Sequence, residues 1–340
     1  MKRITYPNPL KPGHTIGITA PSSGVRPELH GVLDEAVQAV RSLGYNVAEG
    51  QALRISDKCV SAPKESRALE LQRFMADPSV DAVIPPWGGE FLMEILPLID
   101  WEALKAGEPK WMLGYSDIST ILFVYTLLTG NATAHGTNLM DMRAGETGMV
   151  GWDQVLSVPA GGSILQHSSQ LYQSRWDFQQ PHFQLDTPTE WKILGERRSD
   201  VSFSGRLIGG CMDTLSILAG TRYAPVSAFV EQYCSDTGLI WYLESCEMNA
   251  ADIYRHLWNF QQCGWFDHAN GVLVGRPDGY ADTQNFELKD ALERIFLPMG
   301  IPVIYDADIG HVPPQLTLVN GAFAEVFCRQ GSGIVNMTFR

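Results

Sequence analysis

The sequence has few basic residues and no long apolar run. Lys and Arg number 25 against 38 Asp and Glu, so the formal net charge is −13 and no basic stretch is available to neutralise nucleic-acid phosphates. No segment approaches the roughly 20 consecutive apolar residues that cross a bilayer. Residues 1–13 lack the apolar core of a secretory signal. We therefore expect a cytoplasmic protein that binds neither nucleic acid nor membranes.

Cysteine motifs are also missing. The cysteines form no CxxC pair and show none of the spacings typical of zinc ligands. We interpret them as reduced thiols that act mainly as small buried apolar side chains, with a reactive cysteine left open as an alternative. Because no ligand cluster or cofactor motif is visible, we predict that neither a metal nor an organic cofactor is needed. The six are Cys59, Cys211, Cys234, Cys246, Cys263 and Cys328.

Length and composition predict a folded protein of more than one domain. The 340 residues exceed the roughly 100–200 residues of a usual domain. Hydrophobic residues make up 45% and charged residues 19%, which is typical of globular proteins. We predict an N-terminal α/β domain over residues 1–150, an inter-domain connection over 151–200 and a C-terminal domain over 201–340.

Strand and helix patterns alternate through the first 130 residues. Apolar positions three and four apart predict a helix over residues 27–44, directly after a buried strand over 15–20. This alternation predicts an α/β fold with a doubly wound, flavodoxin-like parallel sheet, whose working loops lie at the carboxyl ends of the strands. The other predicted elements of this half are a short extended piece at 45–47, helices over 64–76, 91–99 and 117–128, and strands over 81–85 and 111–114.

The second half predicts another α/β or α+β domain after a connection of weak periodicity over 147–204. A turn and an apolar helix are expected over 205–221, and the last thirty residues are β-rich. Between these lie predicted strands over 239–243, 272–274 and 302–305, and predicted helices over 251–262 and 286–296.

Two turns in the first half follow apolar strands and are candidate positions for catalytic groups. Ser116 lies between a strand and a helix, where a strained turn can expose a hydroxyl and where helix amides can face a developing negative charge. The sequence around it, GYSDI, is not GxSxG, so Ser116 taken alone is more simply the N-cap of the following helix. The turn at residues 86–90, PWGGE, contains a glycine pair that could simply mark a turn.

A serine nucleophile needs a base and a third group that orients the base. His311 is the preferred histidine because it follows a strand and precedes two prolines, which places it in a loop at a strand's carboxyl end. His135 at another strand end is second, whereas His30 and His256 fall inside helical patterns. For the carboxylate, Glu244 ends the strand LIWYL and is either a surface or a functional charge. Its competitors are Glu247, Asp306 and Asp308.

Five segments in order resemble a known family. They are LKPGHTIGITAPSS, LGYSDIST, GRLIGGCMDTL, IWYLESCE and GHVPPQLTL. In this order they resemble the LD-carboxypeptidases and the microcin C self-immunity peptidases of the same family, over nearly the whole chain. The resemblance implies a serine peptidase in which Ser116 is the nucleophile, Glu244 orients the histidine and His311 is the base. It also implies a homodimer.

The resemblance further implies an oxyanion hole and a choice of substrates. The donors would be the backbone amides of Asp117 and a glycine of the glycine pair, for which we take Gly89 over Gly88. Gly88 and Glu90 are candidate substrate contacts, and Glu90 departs from the family pattern. Trp176 stands roughly where the immunity peptidases carry a tryptophan that stacks on a nucleobase, although it could instead pack between domains.

The substrate would be a murein tetrapeptide that loses D-alanine, or an amide-linked peptidyl or aminoacyl nucleotide. GRLIGGCMD and Trp176 favour the second. A two-domain small-molecule binding protein is the alternative from a different class, but it would need an export signal and no nucleophile. A nucleotide-dependent oxidoreductase would need a GxGxxG turn after the first strand, and residues 20–24, APSSG, do not provide one.

Overall fold

The computed structural model of the chain describes residues 2–144, 147–175, 182–195 and 199–340. The described strands are, in chain order, β1 (Thr15–Ile18), β2 (Asn46–Glu49), β3 (Ala82–Val83), β4 (Trp111–Gly114), β5 (Thr133–His135), β6 (Ser163–His167), β7 (Leu171–Tyr172), β8 (Thr187–Pro188), β9 (Lys192–Ile193), β10 (Asp200–Cys211), β11 (Leu239–Glu244), β12 (Ala269–Gly275), β13 (Val303–Ala307), β14 (Leu318–Asn320), β15 (Phe323–Arg329) and β16 (Ser332–Thr338).

The described α-helices are α1 (His30–Ser42), α2 (Lys64–Ala76), α3 (Trp101–Ala106), α4 (Ile118–Thr129), α5 (Trp152–Leu156), α6 (Met212–Leu215), α7 (Val226–Phe229), α8 (Ala250–Gln262) and α9 (Leu288–Met299). Short 3₁₀ segments cover Pro27–Leu29, Leu92–Leu98 and Leu139–Ala144, and a π-helical turn covers Val230–Cys234. Among the described helices, none is both long enough and apolar enough to cross a lipid bilayer.

The first sheet has the predicted doubly wound order. Strands β2, β1, β3, β4 and β5 lie side by side and run parallel, in the order typical of flavodoxin-like folds. Strand β14, from the far end of the chain, adds antiparallel to β5 with Leu318 opposite His135. The prediction of an α/β fold is therefore confirmed.

The second sheet combines parallel and antiparallel strands. Its order is β6, β16, β15, β10, β11, β12, β13, β9, and the central strands β10 to β13 run parallel to one another. All six residues of β11 are buried, as expected of a central strand in a parallel sheet that is covered on both faces. Strands β6 and β9, from residues 151–200, pair at the edges of this sheet.

Helix α4 lies between the two sheets. Every residue of α4 except Leu128 is buried, and the helix contacts β4 and β5 on one side and β10 on the other. A helix that is apolar on all sides has to be enclosed in this way. Since α4 begins two residues after Ser116, its position fixes the turn that carries this serine relative to the second sheet.

Two predicted elements differ in the structure. The segment predicted as a turn and helix over 205–221 forms strand β10, which pairs with β11 and β15, followed by the single turn of α6. A short buried apolar run has the same sequence pattern in a helix and in a strand that is covered on both faces. Pairing with distant strands decides which of the two forms. The predicted helix over 91–99 is a 3₁₀ segment, Leu92–Leu98, that contains Pro97.

Candidate active site

Ser116 occupies a strained turn between β4 and α4. Its backbone φ is +62°, a conformation that costs an L-residue about 1–2 kcal/mol. The N-cap of α4 is Asp117, so the alternative of Ser116 as the N-cap is wrong. Gly114 permits the tight turn, since a Cβ there would lie 2.7 Å from Asn138 Oδ1. This buried amide in turn accepts a hydrogen bond from the Tyr115 N–H at 3.2 Å.

The side chain of Asp117 ties the turn to its surroundings. Its buried carboxylate accepts hydrogen bonds from Ser22 Oγ at 2.5 Å, from the Leu92 N–H at 2.9 Å and from Thr120 Oγ1 at 3.3 Å. Burial raises the pKa of this carboxyl, which the three hydrogen bonds counteract. The side chain of Asp117 is therefore structural, and only its backbone amide is available to a ligand.

Gly88, the first residue of the glycine pair, packs directly against Ser116. A Cβ on Gly88 would lie 2.7 Å from Ser116 Oγ and 2.9 Å from the Asp117 amide nitrogen. Gly89 has a φ of +146°, which L side chains rarely adopt, and a Cβ there would collide with the hydroxyls of Ser22 and Ser23. The structure thus brings Gly88, Ser116 and the Asp117 amide into one small region, with Gly89 next to it beside Ser22 and Ser23.

Glu244 and His311 form a buried hydrogen-bonded pair. His311 Nδ1 lies 2.8 Å from Glu244 Oε2, and the side chains are 13% and 0% exposed. The interpretation of Glu244 as a surface charge is therefore wrong. Gly310, with φ at +93°, lets the histidine loop approach, because a Cβ there would collide with Glu244 Oε2. Gly310 is a site residue that the sequence analysis did not single out, although it precedes His311 directly.

The pairing favours the protonated form of His311 and the ionised form of Glu244. Burial alone would lower the pKa of His311, but the Glu244 carboxylate and the Cys246 side chain beside the ring raise this pKa well above its ordinary value. Burial likewise opposes ionisation of Glu244, but the charge of His311 and the hydrogen bond to it hold the pKa of Glu244 below its ordinary value. An imidazole with a carboxylate on Nδ1 keeps the proton there and presents Nε2 to other groups.

Two contacts bring this pair to the Ser116 turn. The Tyr115 ring meets the His311 ring edge-on, with centroids 4.8 Å apart. At the start of α4, Ser119 Oγ accepts a hydrogen bond from the Cys211 N–H at 3.1 Å, and Cys211 lies opposite Glu244 on the neighbouring strand. The hydrogen bonds of the described residues do not include one between Ser116 and His311, so the two are linked here through Tyr115.

The competing carboxylates have other partners. The carboxylate of Asp308 is fully buried, pairs with Arg276 at 2.5 Å and accepts a hydrogen bond from Trp191 Nε1 at 2.8 Å. Asp306 pairs with Lys192 at 2.8 Å, and Glu247 is exposed. Among the described residues, the hydrogen bonds and ion pairs of these three carboxylates do not include His311, whereas Glu244 is hydrogen-bonded to it.

His135, the second candidate base, is buried behind the site. Burial lowers the pKa of this histidine to about 4, so that it is neutral near pH 7. Its Nδ1 lies 3.4 Å from Ser119 Oγ, and its ring packs against Tyr242 with centroids 5.2 Å apart. His135 is therefore a core residue beside the site.

Open space lies on both sides of the site. A cavity of about 670 Å³ is lined by residues that include Tyr115, Asp141, His311 and Pro313. A smaller depression of about 280 Å³ is lined by the glycine pair together with Ser23, Gly24, Arg26, Ser56 and Trp87. Glu90 is exposed next to that depression. Trp176 lies outside the described residues, so its predicted role stays a prediction.

Comparison with known families matches both halves of the chain. The family described as LD-carboxypeptidase N-terminal domain matches residues 16–136, and the one described as LD-carboxypeptidase C-terminal domain matches residues 204–326. Together the two matches cover more than half of the 340 residues, and each includes part of the site.

Individual relatives span the same length at low identity. The chain is 23% identical over 329 residues to the microcin C7 self-immunity protein MccF of Escherichia coli, covering 92% of this chain and 90% of that protein. It is 22% identical over 307 residues to the murein tetrapeptide carboxypeptidase of Pseudomonas aeruginosa, covering 87% of each.

Solved structures share the fold. An MccF-like protein from Bacillus anthracis superposes with a TM-score of 0.84 at 21% identity, covering 99% of this chain and all of that chain. MccF in complex with glutamyl sulfamoyl guanosine superposes with a TM-score of 0.81 at 20% identity, covering 98% of each chain.

Proposed function

Because this chain belongs to the LD-carboxypeptidase family, we propose that it is a serine peptidase that hydrolyses an amide bond through an acyl-enzyme on Ser116. The observation that carries the proposal is the approach of a strained serine turn to a buried Glu244–His311 pair, through the contact of Tyr115 with the imidazole. A nucleophile, a base and a group that orients the base are the parts that such chemistry needs.

His311 acts as the base. Its Nε2 takes the proton of the Ser116 hydroxyl as the oxygen attacks the scissile carbonyl carbon, and Glu244 stabilises the imidazolium through Nδ1. The imidazolium then gives the proton to the leaving nitrogen as the C–N bond breaks. Water, deprotonated by the same histidine, cleaves the ester on Ser116 and releases the acid.

The glycine turn and the helix start stabilise the intermediate. We assign the oxyanion hole to the backbone amides of Gly89 and Asp117, because the Asp117 amide and Gly88, which precedes Gly89, lie beside Ser116. The Asp117 amide is at the start of α4, where the helix dipole favours negative charge. Gly88 leaves the room in front of Ser116 Oγ that the substrate carbonyl has to enter, and Glu90 is placed to contact the substrate.

A Gly88→Ala variant is expected to lose about 100-fold or more in kcat/KM. The added methyl group would lie 2.7 Å from Ser116 Oγ and 2.9 Å from the Asp117 nitrogen, in the space of the oxyanion. Steady-state kinetics measure the loss. The matched control is Gly31→Ala, where a Cβ meets no atom within 4 Å. Equal activity of both variants would contradict the assignment of this space to the substrate.

The pH profile should show the raised pKa of His311. The base has to be neutral in the free enzyme, and Glu244 raises the pKa of the imidazole, so kcat/KM should rise with pH through a midpoint above about 6.5. In Glu244→Gln the midpoint of the residual activity should move to lower pH, because the carboxylate charge is lost. If the midpoint of the profile lay at the same pH in both proteins, Glu244 would not be the group that raises the pKa of the base.

Product analysis tests the proposal and selects the substrate. The protein is incubated with a murein tetrapeptide and with an aminoacyl sulfamoyl adenylate, and products are identified by mass spectrometry, with the Ser116→Ala variant in parallel. Release of D-alanine by the wild type alone would define a murein carboxypeptidase, and release of the nucleoside part an immunity-type peptidase. No serine-dependent product from either would instead favour a small-molecule binding protein.

The cytoplasmic location, the homodimer and the domain division at residues 150 and 200 stay predictions.

A further inference from the structure

A third side chain with metal-binding capacity lies beside the Glu244–His311 pair. Cys211 ends β10 and lies opposite Glu244, the last residue of β11, in the parallel register of the two strands. Its Sγ, a carboxylate oxygen of Glu244 and a ring nitrogen of His311 all lie within 4.8 Å of one another. The thiol and the carboxylate are almost fully buried, and the imidazole is 13% exposed.

One oxygen of this cluster has no hydrogen-bond partner in the part of the chain that the structure describes. Glu244 Oε2 is paired with His311, but Glu244 Oε1 is buried and has no hydrogen-bond donor among the described residues. An unsatisfied buried carboxylate oxygen costs about 1–3 kcal/mol or more, so a native structure rarely keeps one without a role. The Cys211 Sγ lies within 4.8 Å of a carboxylate oxygen of Glu244. The oxygen is thus positioned for a cation that also contacts the sulfur.

The chemistry of the three ligands selects the metal. A thiolate, an imidazole and a carboxylate form a donor set that zinc accepts and that magnesium and calcium, which require oxygen ligands, do not. Zinc bonds of about 2.0–2.3 Å in a tetrahedron place ligand atoms roughly 3.3–3.6 Å apart, so atoms up to 4.8 Å apart have to approach by about 1.3 Å to complete the site. We propose that Cys211, Glu244 and His311 form a Zn²⁺ site next to the cavity that His311 lines.

Occupation of this site would switch the peptidase off. Zinc replaces the proton of the Cys211 thiol, which goes to solvent, and takes the Nδ1 position of His311. A protonated imidazole releases its Nδ1 proton to solvent, whereas in a neutral imidazole this proton moves to Nε2, so in both cases the ring keeps one proton, on Nε2. The hydrogen bond between Nδ1 and Glu244 Oε2 is then lost, and the imidazole no longer serves as the base. This consequence rests on the proposed function, whereas the metal site itself does not. Zinc here is an inhibitor and not a cofactor.

Cobalt binding detects the metal site by absorption, without an activity assay. The protein is treated with a chelator, desalted and titrated with Co²⁺, which gives an intense near-ultraviolet absorption only when a thiolate is a ligand. We expect this band to saturate at one cobalt per chain in the wild type and in Cys328→Ser, which removes a buried thiol elsewhere. Cys211→Ser should lose the band and bind cobalt about 100-fold more weakly or worse. Circular dichroism and thermal melting establish that the variants fold, and Cys211→Ala serves if the serine variant does not.

Further variants test whether Cys211 or a neighbouring cysteine binds the metal, and whether metal binding and peptidase activity stand or fall independently. Cys246 has a partly exposed thiol beside His311, so Cys246→Ser is included. Loss of the band in Cys246→Ser with its retention in Cys211→Ser, or no band in the wild type, would overturn the proposal. Ser116→Ala should bind cobalt like the wild type while losing turnover. A wild type that binds cobalt but hydrolyses nothing would refute the proposed function alone, and an active peptidase without the cobalt band would refute the site alone. Cobalt binding without inhibition of turnover by zinc would refute only the inhibition.

Discussion

A Ser116→Ala variant should hydrolyse its substrate on the order of 10⁴–10⁶-fold more slowly than the wild type, with an unchanged fold. The loss is large because the proposed acyl-enzyme cannot form without the hydroxyl, and only binding and the oxyanion donors remain. The fold should persist because the Ser116 side chain does not cap α4, whose N-cap is Asp117. Single-turnover and steady-state rates measure the effect.

The matched control for this variant is Ser66→Ala, which removes an exposed hydroxyl from helix α2. Its rate should stay within about twofold of the wild type, and thermal melts should place all three proteins close together. If Ser116→Ala kept more than about a tenth of the wild-type rate, an acyl-enzyme on this residue would be untenable.

A Glu244→Gln variant should lose about 10⁴-fold in kcat while binding substrate normally. The carboxylate at 2.8 Å accepts the Nδ1–H of His311, whereas a glutamine amide can donate to Nδ1 and thereby force the proton onto Nε2. An imidazole with its proton on Nε2 cannot accept one from Ser116. An equivalent change in a serine protease triad has an effect of this size.

Glu247→Gln provides the control, because Glu247 lies three residues further on and is exposed. It should leave kcat unchanged. The tautomer itself can be read by ¹⁵N NMR of the histidine ring, where Glu244→Gln should shift the proton of His311 from Nδ1 to Nε2. A normal rate together with a shifted tautomer would remove Glu244 from the mechanism.

Much of the first sheet could be predicted because its signals are local. Helix α2 was predicted over the residues that form it, and strand β4 likewise, because apolar periodicity and flanking turn residues mark both ends. The strand order follows from the alternation of strands and helices, which leaves few arrangements for a parallel sheet. The position of Ser116 between β4 and α4 was predictable for the same reason.

Long-range pairing limited the prediction of the second half. Strand β10 is buried between β11 and β15, and its apolar run with glycines has no period that separates it from a helix. Strand β14 joins the first sheet across more than 180 residues of sequence, and no local signal specifies that pairing. The π-helical turn and the 3₁₀ segments likewise depend on tertiary packing.

The candidate site was predictable in parts. Position alone could not separate a surface Glu244 from a buried one, and the family resemblance supplied its role. The ends of β10 and β11 bring Cys211 next to Glu244, but 32 intervening residues separate the two in sequence, so the cysteine looked like an ordinary apolar side chain. Distances in three dimensions, not spacing along the chain, identify it as part of the cluster.

The most direct test of the central claim is to find the acyl group on Ser116. The wild type is mixed with excess substrate and quenched in acid within milliseconds, and the intact mass and the proteolytic fragments are measured. The account predicts a mass increase equal to the acyl part of the substrate, located on the fragment that contains Ser116 and absent from Ser116→Ala. Substrate turnover without any adduct on this fragment, or an adduct on another residue such as Cys211, would contradict it.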